Sequence, residues 1–551
     1  VIGRGSTGIV AEESQPEAAV AAPDATKERA ALTRNAGIVA AGTLVSRVLG
    51  AGRDAVFAAC FPVAATDAFF VAFTIPNALR GLLADGAVSS AFIPTYTEVR
   101  TKEGEAKAND FYARLSGAML VVLALVSVIG VATASLFVTA YAGGYADDPE
   151  LFATTVSLTR IVFPYIFFMG AAALGTGILN AHRHFAVPAV APALLNVALI
   201  AAPFVLVGPA AALGLPPIAS LALGAIVGGV LQMIAQWPAI RSLGLLTMPI
   251  IDFRDARVRD ALARLGPLAL GLGIYQVNVM LARLLTSYLP SGSQSYLYYG
   301  QRLVEIPQGM FALAIASAAL PTLADLRSRG ENDELRRVFA QAMRSSLFVG
   351  VPATAILMAL AEPTVAVLFQ RGAFDHHDAL ETTRSLAWQG AGVWAIACVR
   401  VVVPMFYAHG DTKTPLVGSA INLAVFVGLG VWLRTSMGHA GIAIAISAAG
   451  VAQLAVLLLL LRRKLGRLGL GSVAGAALRT TLAALALSGV GIGVARFGHW
   501  ERGGNDLVNL AVLAAALIAG GLAYLAVLAA FRAPELADVT AALRRRVKRR
   551  G

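Results

Sequence analysis

Charge is scarce in this sequence: of its 551 residues 14% are Asp, Glu, Lys or Arg, against about a quarter in ordinary soluble domains. A water-facing surface over most of the chain is thereby excluded. Cysteine is scarcer, with Cys60 and Cys398 far apart and each inside an apolar stretch, which offers neither a disulfide framework nor a metal cluster. The seven histidines have no metal-ligand spacing, the acids do not gather into a catalytic cluster, and no glycine loop is built to cradle phosphate. Those absences speak against a glycosyltransferase, phosphatase or other enzyme, and no metal or cofactor is expected. The first thirty or so residues, with Glu12, Glu13, Ser14 and Pro16, lack an apolar core segment. They are expected to form a disordered tail over 1–34 rather than a signal peptide.

Apolar sequence is abundant. Hydrophobic residues make up 57% of the chain, and the mean hydropathy is +0.72. Crossing a bilayer core takes roughly 20 apolar residues, and runs of that kind recur, as in Leu120 to Thr139, Val187 to Val207, Ser345 to Ala361 and Ala511 to Ala530. They are rich in Ala, Leu and Gly and do not alternate, so backbone pairing within each run favours helices over a barrel. The expectation is an all-α polytopic membrane protein with about fourteen helices. Their ranges are 36–61, 64–90, 112–138, 154–181, 187–208, 218–237, 261–289, 297–322, 340–362, 383–408, 415–433, 440–462, 475–497 and 507–531. An even count returns both ends to one side.

The net charge of +12 is distributed in alternate loops. Arg100, Lys102 and Lys107 follow the second expected helix, Arg254, Arg257 and Arg259 the sixth, Arg327, Arg329, Arg336 and Arg337 the eighth, and Arg462, Arg463 and Lys464 the twelfth. The loop after the third carries Asp147, Asp148 and Glu150 without a base. The positive-inside rule then places both termini in the cytoplasm. The basic tail at 533–551 points to anionic membrane lipids beside a helix, and no nucleic-acid partner is expected.

An internal repeat organises the chain. Pro94-Thr95 and Arg100 recur as Pro321-Thr322 and Arg327, Ala181-His182 as Ala408-His409, and Pro188 as Pro415, all 227 residues apart. Six helices separate the copies, so both have one orientation: two parallel six-helix lobes around a central cavity. The expected divisions are 35–245 for the first lobe, 255–468 for the second, and 472–532 for a terminal helix pair.

Ionisable groups inside membrane helices are costly unless they face a wet cavity or a partner, which makes each a site hypothesis. The first helix carries Arg47, Arg53 and Asp54, with Arg47 and Asp54 on nearly the same face. The second carries Asp67, Arg80 and Asp85 around Pro76, expected to kink or break it. Arg283 lies in the seventh; Arg302 and Glu305 lie one turn apart in the eighth. Arginine slightly exceeds acid, and a guanidinium that cannot lose its proton suits a diphosphate.

Ser46-Arg47-Val48-Leu49-Gly50, Arg53-Asp54, Thr66-Asp67-Ala68-Phe69-Phe70, Ile75-Pro76-Asn77, Arg80, Phe92-Ile93-Pro94, Ser291-Gly292-Ser293, Tyr298-Tyr299 and Asp411-Thr412-Lys413-Thr414-Pro415 together resemble the signature of the MurJ (MviN) family, from about Asn35 to Arg532. The resemblance implies an inner-membrane flippase of the MOP exporter superfamily, carrying lipid II from the cytoplasmic to the periplasmic leaflet by alternating access. It implies a substrate site at Arg47, Arg53, Asp67, Arg80 and Arg302; Asp54, Pro76, Asn77, Asp85, Arg283, Ser295 and Glu305, beside them in the same helices, are expected to support it. It also implies a lipid-tail groove on the last two helices, and it links the chain to cell-wall synthesis or division machinery. Some relatives have Asp before the seventh-helix arginine, where this chain has Ala282, so sodium binding does not carry over. Coupling to the membrane potential or to a monovalent cation stays open, and Asp411 reads as a loop residue capping the eleventh helix. Another MOP exporter, for a polysaccharide lipid or a drug, is the alternative.

Overall fold

The computed structural model describes residues 25–82, 88–245, 247–466 and 468–537, by backbone alone at 25–36, 79–82, 88–91, 265–275, 310–322 and 324. Among the described residues there is helix and no strand. The first half contains α1 (Ala25–Cys60), α2 (Val63–Leu82), α3 (Val88–Glu103), α4 (Glu105–Ala132), α5 (Ala134–Tyr141), α6 (Pro149–Val162), α7 (Tyr165–Ala181), α8 (Ala186–Val205), α9 (Val207–Ala212), α10 (Ala219–Ile234) and α11 (Trp237–Ser242). The second half contains α12 (Ala256–Ser287), α13 (Ser293–Ser328), α14 (Asn332–Ala359), α15 (Ala361–Phe369), α16 (His376–Gly390), α17 (Val393–Ala408) and α18 (Lys413–Leu465). The terminal pair is α19 (Leu470–Ala495) and α20 (Leu507–Ala530).

Several expected spans are broken helices, and the breaks have local causes. Pro164 cannot donate, so α6 and α7 meet at Phe163–Pro164. Thr133 turns its hydroxyl onto the Ile129 carbonyl at 2.6 Å where α4 gives way to α5. The same punctuation returns 227 residues on. Glu105–Ala132 becomes Asn332–Ala359, Ala181 ends one helix as Ala408 ends another, and the helix caps Asp148 and Asp375 correspond. Each cap carboxylate accepts an N–H from its helix's first turn, Leu151 at 3.0 Å and Asp378 at 2.9 Å, which satisfies groups that hydrocarbon would leave unpaired.

Two expectations need correction. Helix α1 begins at Ala25, so residues 25–34 of the expected tail are helical; 1–24 lie outside the described residues. Pro76 does not break α2, which continues to Leu82; only one N–H is lost there, and prolines are tolerated within packed membrane helices. The eleventh and twelfth expected helices both form within Lys413–Leu465 and meet at Gly438, whose non-helical φ of 58°, one that only glycine adopts freely, separates them. Residues 83–87 of the second expected helix lie outside the described residues.

Close packing depends on small residues, since between lipid-bathed helices the hydrophobic effect contributes little. A Cβ on Gly228 would lie 2.7 Å from Leu195, one on Gly224 2.6 Å from Ala202, and one on Gly130 1.9 Å from the Phe163 ring. Outward faces carry exposed apolar side chains, among them Leu125, Phe204, Trp432, Leu459, Leu485 and Ile518, an inside-out pattern for a water-soluble protein and the expected one in lipid. Nine helices among the described residues are long and apolar enough to cross a membrane. The four helices with the embedded charges, α1, α2, α12 and α13, are not among the nine.

Candidate functional site at the boundary of the two halves

The charged residues collect where α1 and α2 face α12 and α13. Asp54, 1% exposed, is the centre. Its Oδ1 accepts from Nε and Nη2 of Arg53 at 2.9 and 2.6 Å, and its Oδ2 accepts from Nε of Arg302 at 2.9 Å. Arg53, also buried, completes its fork by donating Nη1 to Asn196 at 3.1 Å and Nη2 to the Tyr298 hydroxyl at 3.1 Å. Its donors are thus engaged by protein in this conformation. Arg302 donates Nη1 to Glu305 at 2.8 Å, the one-turn pair read from the sequence, and its side chain remains 34% exposed.

Tyr298 ties these groups together. Its ring stacks on Phe70 of α2 with centroids 3.7 Å apart, and the guanidiniums of Arg302 and Arg283 lie 5.5 and 5.8 Å from its centre. Arg283 also donates to the Gln294 side chain at 3.0 Å.

Arg47 is placed differently. It is exposed, and among the described residues no carboxylate lies within ion-pair distance of it. Its guanidinium rests on Gly309 of α13, where a Cβ would come within 1.7 Å of Nη1. Arg47 and Asp54 do share a face of α1, as their spacing predicts, but Asp54 pairs with Arg53 and Arg302 and not with Arg47.

Asp67 does different work. It is 1% exposed and accepts the backbone N–H groups of Gly292 and Ser295 at 2.7 Å each. These are the opening amides of α13, whose own cap residue is Gly292, so a carboxylate from the first half caps a helix of the second. Thr66 and Ser295 join hydroxyls at 2.7 Å beside it. The same end of the bundle holds Gly144 N–H on the Ser287 hydroxyl at 3.0 Å, and Ala373 N–H on the Ala59 carbonyl at 2.9 Å. Together these contacts form a polar seam between the halves.

Ser295, Arg302 and Gly309 are seven residues apart, on one face of α13. At 1.5 Å per residue they mark three levels about 10 Å apart: the seam, the Asp54–Arg302 bridge, and the Arg47 contact. Arg80 and Pro76 are on α2 by backbone, the Arg80 side chain lies outside the described residues, and Asp85 lies outside them altogether. Asn77 is exposed and engaged in a contact. Ala282 packs with Leu285, Phe426 and Ile442, an apolar setting. Asp411 caps α18 as expected, accepting from the Lys413 and Thr414 amides at 3.1 and 2.9 Å.

Asn196 and Tyr298 were missed as site residues. A lone Asn in an apolar span was a usable signal, because a membrane-buried amide needs a partner; Asn196 also holds α1 through the Ser46 carbonyl at 2.9 Å.

The sequence model of the family described as "Lipid II flippase MurJ" matches residues 57–501. The chain belongs to that family. MurJ relatives include the lipid II flippase MurJ of Burkholderia cenocepacia, 34% identical over 428 residues, covering 77% of this chain and 82% of the relative. The probable lipid II flippase MurJ of Vibrio cholerae is 34% identical over 428 residues, covering 76% and 81%. Among solved structures, a MurJ in an inward closed conformation shares the fold at 23% identity and a TM-score of 0.72, covering 90% of this chain and 98% of that one. An inward-facing MATE transporter of the MOP superfamily shares it more distantly, at a TM-score of 0.60 and 15% identity, with 77% of this chain and 95% of that one covered. The fold is thus that of MurJ and its MOP neighbours.

Proposed function

We propose that this chain flips lipid II from the cytoplasmic to the periplasmic leaflet of the bacterial inner membrane, both termini lying in the cytoplasm. Its two lobes, 35–245 and 255–468, alternate access to the space between them over fourteen crossings. The observation that carries the reading is the placement of Arg302 and Arg47: cationic groups on one face of α1 and α13, one part-exposed and one without a carboxylate partner among the described residues, behind a seam closed at one end. A guanidinium binds phosphate oxygens by paired, charge-assisted hydrogen bonds, so a diphosphate headgroup entering from the open end has two anchors. The recurrence of helix ends at 227 residues supports two lobes of like orientation, and the loop charges support the seam as the periplasmic end.

In this cycle Arg302 and Arg47 hold the headgroup, Arg53 holds Asp54 and Asn196 in place, and Asp67 latches the outer seam. Headgroup binding competes with Glu305 and Asp54 for Arg302, which loosens the bridge between lobes and frees the seam to open. The lipid tail runs along the membrane face of α19 and α20, where Leu478, Leu485, Ile518 and Leu522 stand exposed. The inside-negative potential favours outward movement of a negative headgroup, by about 2.3 kcal/mol per charge per 100 mV.

Replacement of a cell's lipid II flippase by this chain tests the assignment. Growth, with lipid II reaching the outer leaflet, is expected; accumulation of lipid II inside with the chain in the membrane would refute it. A drug-exporter reading loses support because the groups between the lobes are cationic.

A further inference from the structure

The second half contains a buried polar relay that the headgroup site does not use. His439 follows Gly438 at the junction inside α18 and is 8% exposed. Its Nδ1 lies 2.8 Å from the Ser385 hydroxyl and its Nε2 2.9 Å from Oε2 of Glu381. The other Glu381 oxygen accepts from Arg384 at 2.7 Å. The imidazole ring sits 5.3 Å from the ring of Tyr296, whose hydroxyl donates to Asp378 at 2.8 Å. Tyr296 directly follows Ser295, whose N–H is held by Asp67, so the relay touches the turn of α13 that the seam closes on.

The arrangement accepts a proton without repacking. A carboxylate only accepts, so Nε2 carries its hydrogen toward Glu381 in either charge state. With a neutral ring, Nδ1 accepts from the Ser385 hydroxyl. With a charged ring, Nδ1–H donates to the same oxygen and the hydroxyl hydrogen turns to a backbone carbonyl one turn back, a bond serine makes readily in a helix. The ionisable neighbours are Asp378, Glu381 and Arg384 from α16, Tyr296 from α13 and Arg434 on α18 itself, with Asp375, His376 and His377 opening α16. Arg384 is 66% exposed and Glu381 18%, so the route from water to the ring is short and the innermost charges are acidic.

We propose that Glu381, His439 and Ser385 form a proton-binding site of the second lobe, and that a proton there favours the closed seam. The imidazolium is held between the Glu381 carboxylate and the tilted ring of Tyr296, 5.3 Å away, which fixes the first turn of α13 where Asp67 caps it. Losing the proton removes that attraction and eases α13 away. The proposal rests on the alternating-lobe reading above: a proton taken from outside after headgroup release returns the lobes to the closed-seam state.

The test uses the full chain in lipid nanodiscs, with Cys60→Ser and Cys398→Ala, and spin labels at cysteines introduced at the exposed positions Ala64 and Ser291 on either side of the seam. Distances are measured from pH 5.5 to 8.5, the window about the ordinary histidine pKa. The closed distance should dominate in acid and the open one should grow with pH, by about tenfold in ratio for each unit by which the two states differ in pKa. His439→Gln, which keeps a hydrogen bond but takes no proton, should reduce that change to under about twofold, and Glu381→Gln should shrink it by the same route if the histidine variant is not made in the membrane. A wild-type pH profile in both variants overturns the proposal. Lipid II flipping is scored separately on the same proteins. A chain that keeps the His439-dependent transition but flips no lipid II supports the proton site and overturns the substrate assignment.

Discussion

Asp54 of α1 receives the guanidinium of Arg302 of α13 at 2.9 Å, and seven residues away on each helix, in opposite directions, Arg47 meets Gly309. Two contacts with one antiparallel register mean that the arginines of both halves of the chain face the same space, and that Asp54 restrains Arg302.

Asp54→Asn should therefore uncouple α1 from α13. It leaves Arg53 buried without its carboxylate, and breaking a buried pair from one side costs about 3 kcal/mol. Lower thermal stability and loss of flipping are expected, read by unfolding of the purified protein and by growth of cells dependent on the chain. Unchanged stability would show that Arg53 is satisfied by Asn196 and Tyr298 alone.

Gly309→Ala separates position from stability. The nearest atoms to the new Cβ are all at the end of the Arg47 side chain, which can swing away, so the melting temperature should hardly move. Flipping should fall toward that of Arg47→Ala, because the guanidinium has been displaced from its level. An active Gly309→Ala would mean that the resting place of Arg47 does not matter.

Asp67→Ala should open the seam. Two buried amides lose their acceptor, a cost of roughly 2 kcal/mol, or about thirtyfold in the closed-to-open ratio. Faster thiol labelling of a cysteine at the buried Ser293, in the turn that Asp67 holds, measures it; an unchanged rate would place the latch elsewhere, for instance at Gly144 and Ser287.

The α17–α18 junction should resist acid. The Lys464 ammonium, with the Thr414 amide and hydroxyl, holds the Asp411 carboxyl well below the usual carboxylate range. A folded-state pKa below the unfolded value means that the contribution is complete above the ordinary pKa of about 3.9 and fades only as pH falls through the lower, folded value. Hydrogen exchange at the start of α18, corrected for intrinsic rate, should show protection from pH 7 down to about 4, and Asp411→Asn should reduce it throughout. Protection lost already between pH 6 and 5 would contradict the assignment.

The helices were legible in the sequence because the bilayer imposes a length and an apolar composition on each span, and the repeat was legible because Ala181 and Ala408 sit at equivalent helix ends while Pro94 and Pro321 recur inside α3 and α13. Membrane burial also singled out Arg47, Arg53, Asp54, Asp67 and Arg302, since a charge in hydrocarbon needs a reason. Their partners were not legible. Helical spacing puts Arg47 and Asp54 on one face but says nothing of the opposing helix, and the union of Asp54 with Arg302 depends on tertiary register. The role of Asp67 was hidden for a related reason: it binds backbone amides, and backbone leaves no mark in a sequence. Asn196 and Tyr298 are uncharged, so a search for costly charges passed over them.

The central claim is that Arg302 holds a diphosphate by its paired donors. The direct measurement is lipid II exposed on the outer leaflet of cells that rely on this chain, in wild type, Arg302→Lys and Arg302→Ala at equal membrane abundance. Wild type should flip, alanine should fail, and lysine should be severely reduced, since an ammonium lacks the planar fork. Flipping by Arg302→Ala at the wild-type rate would contradict the account.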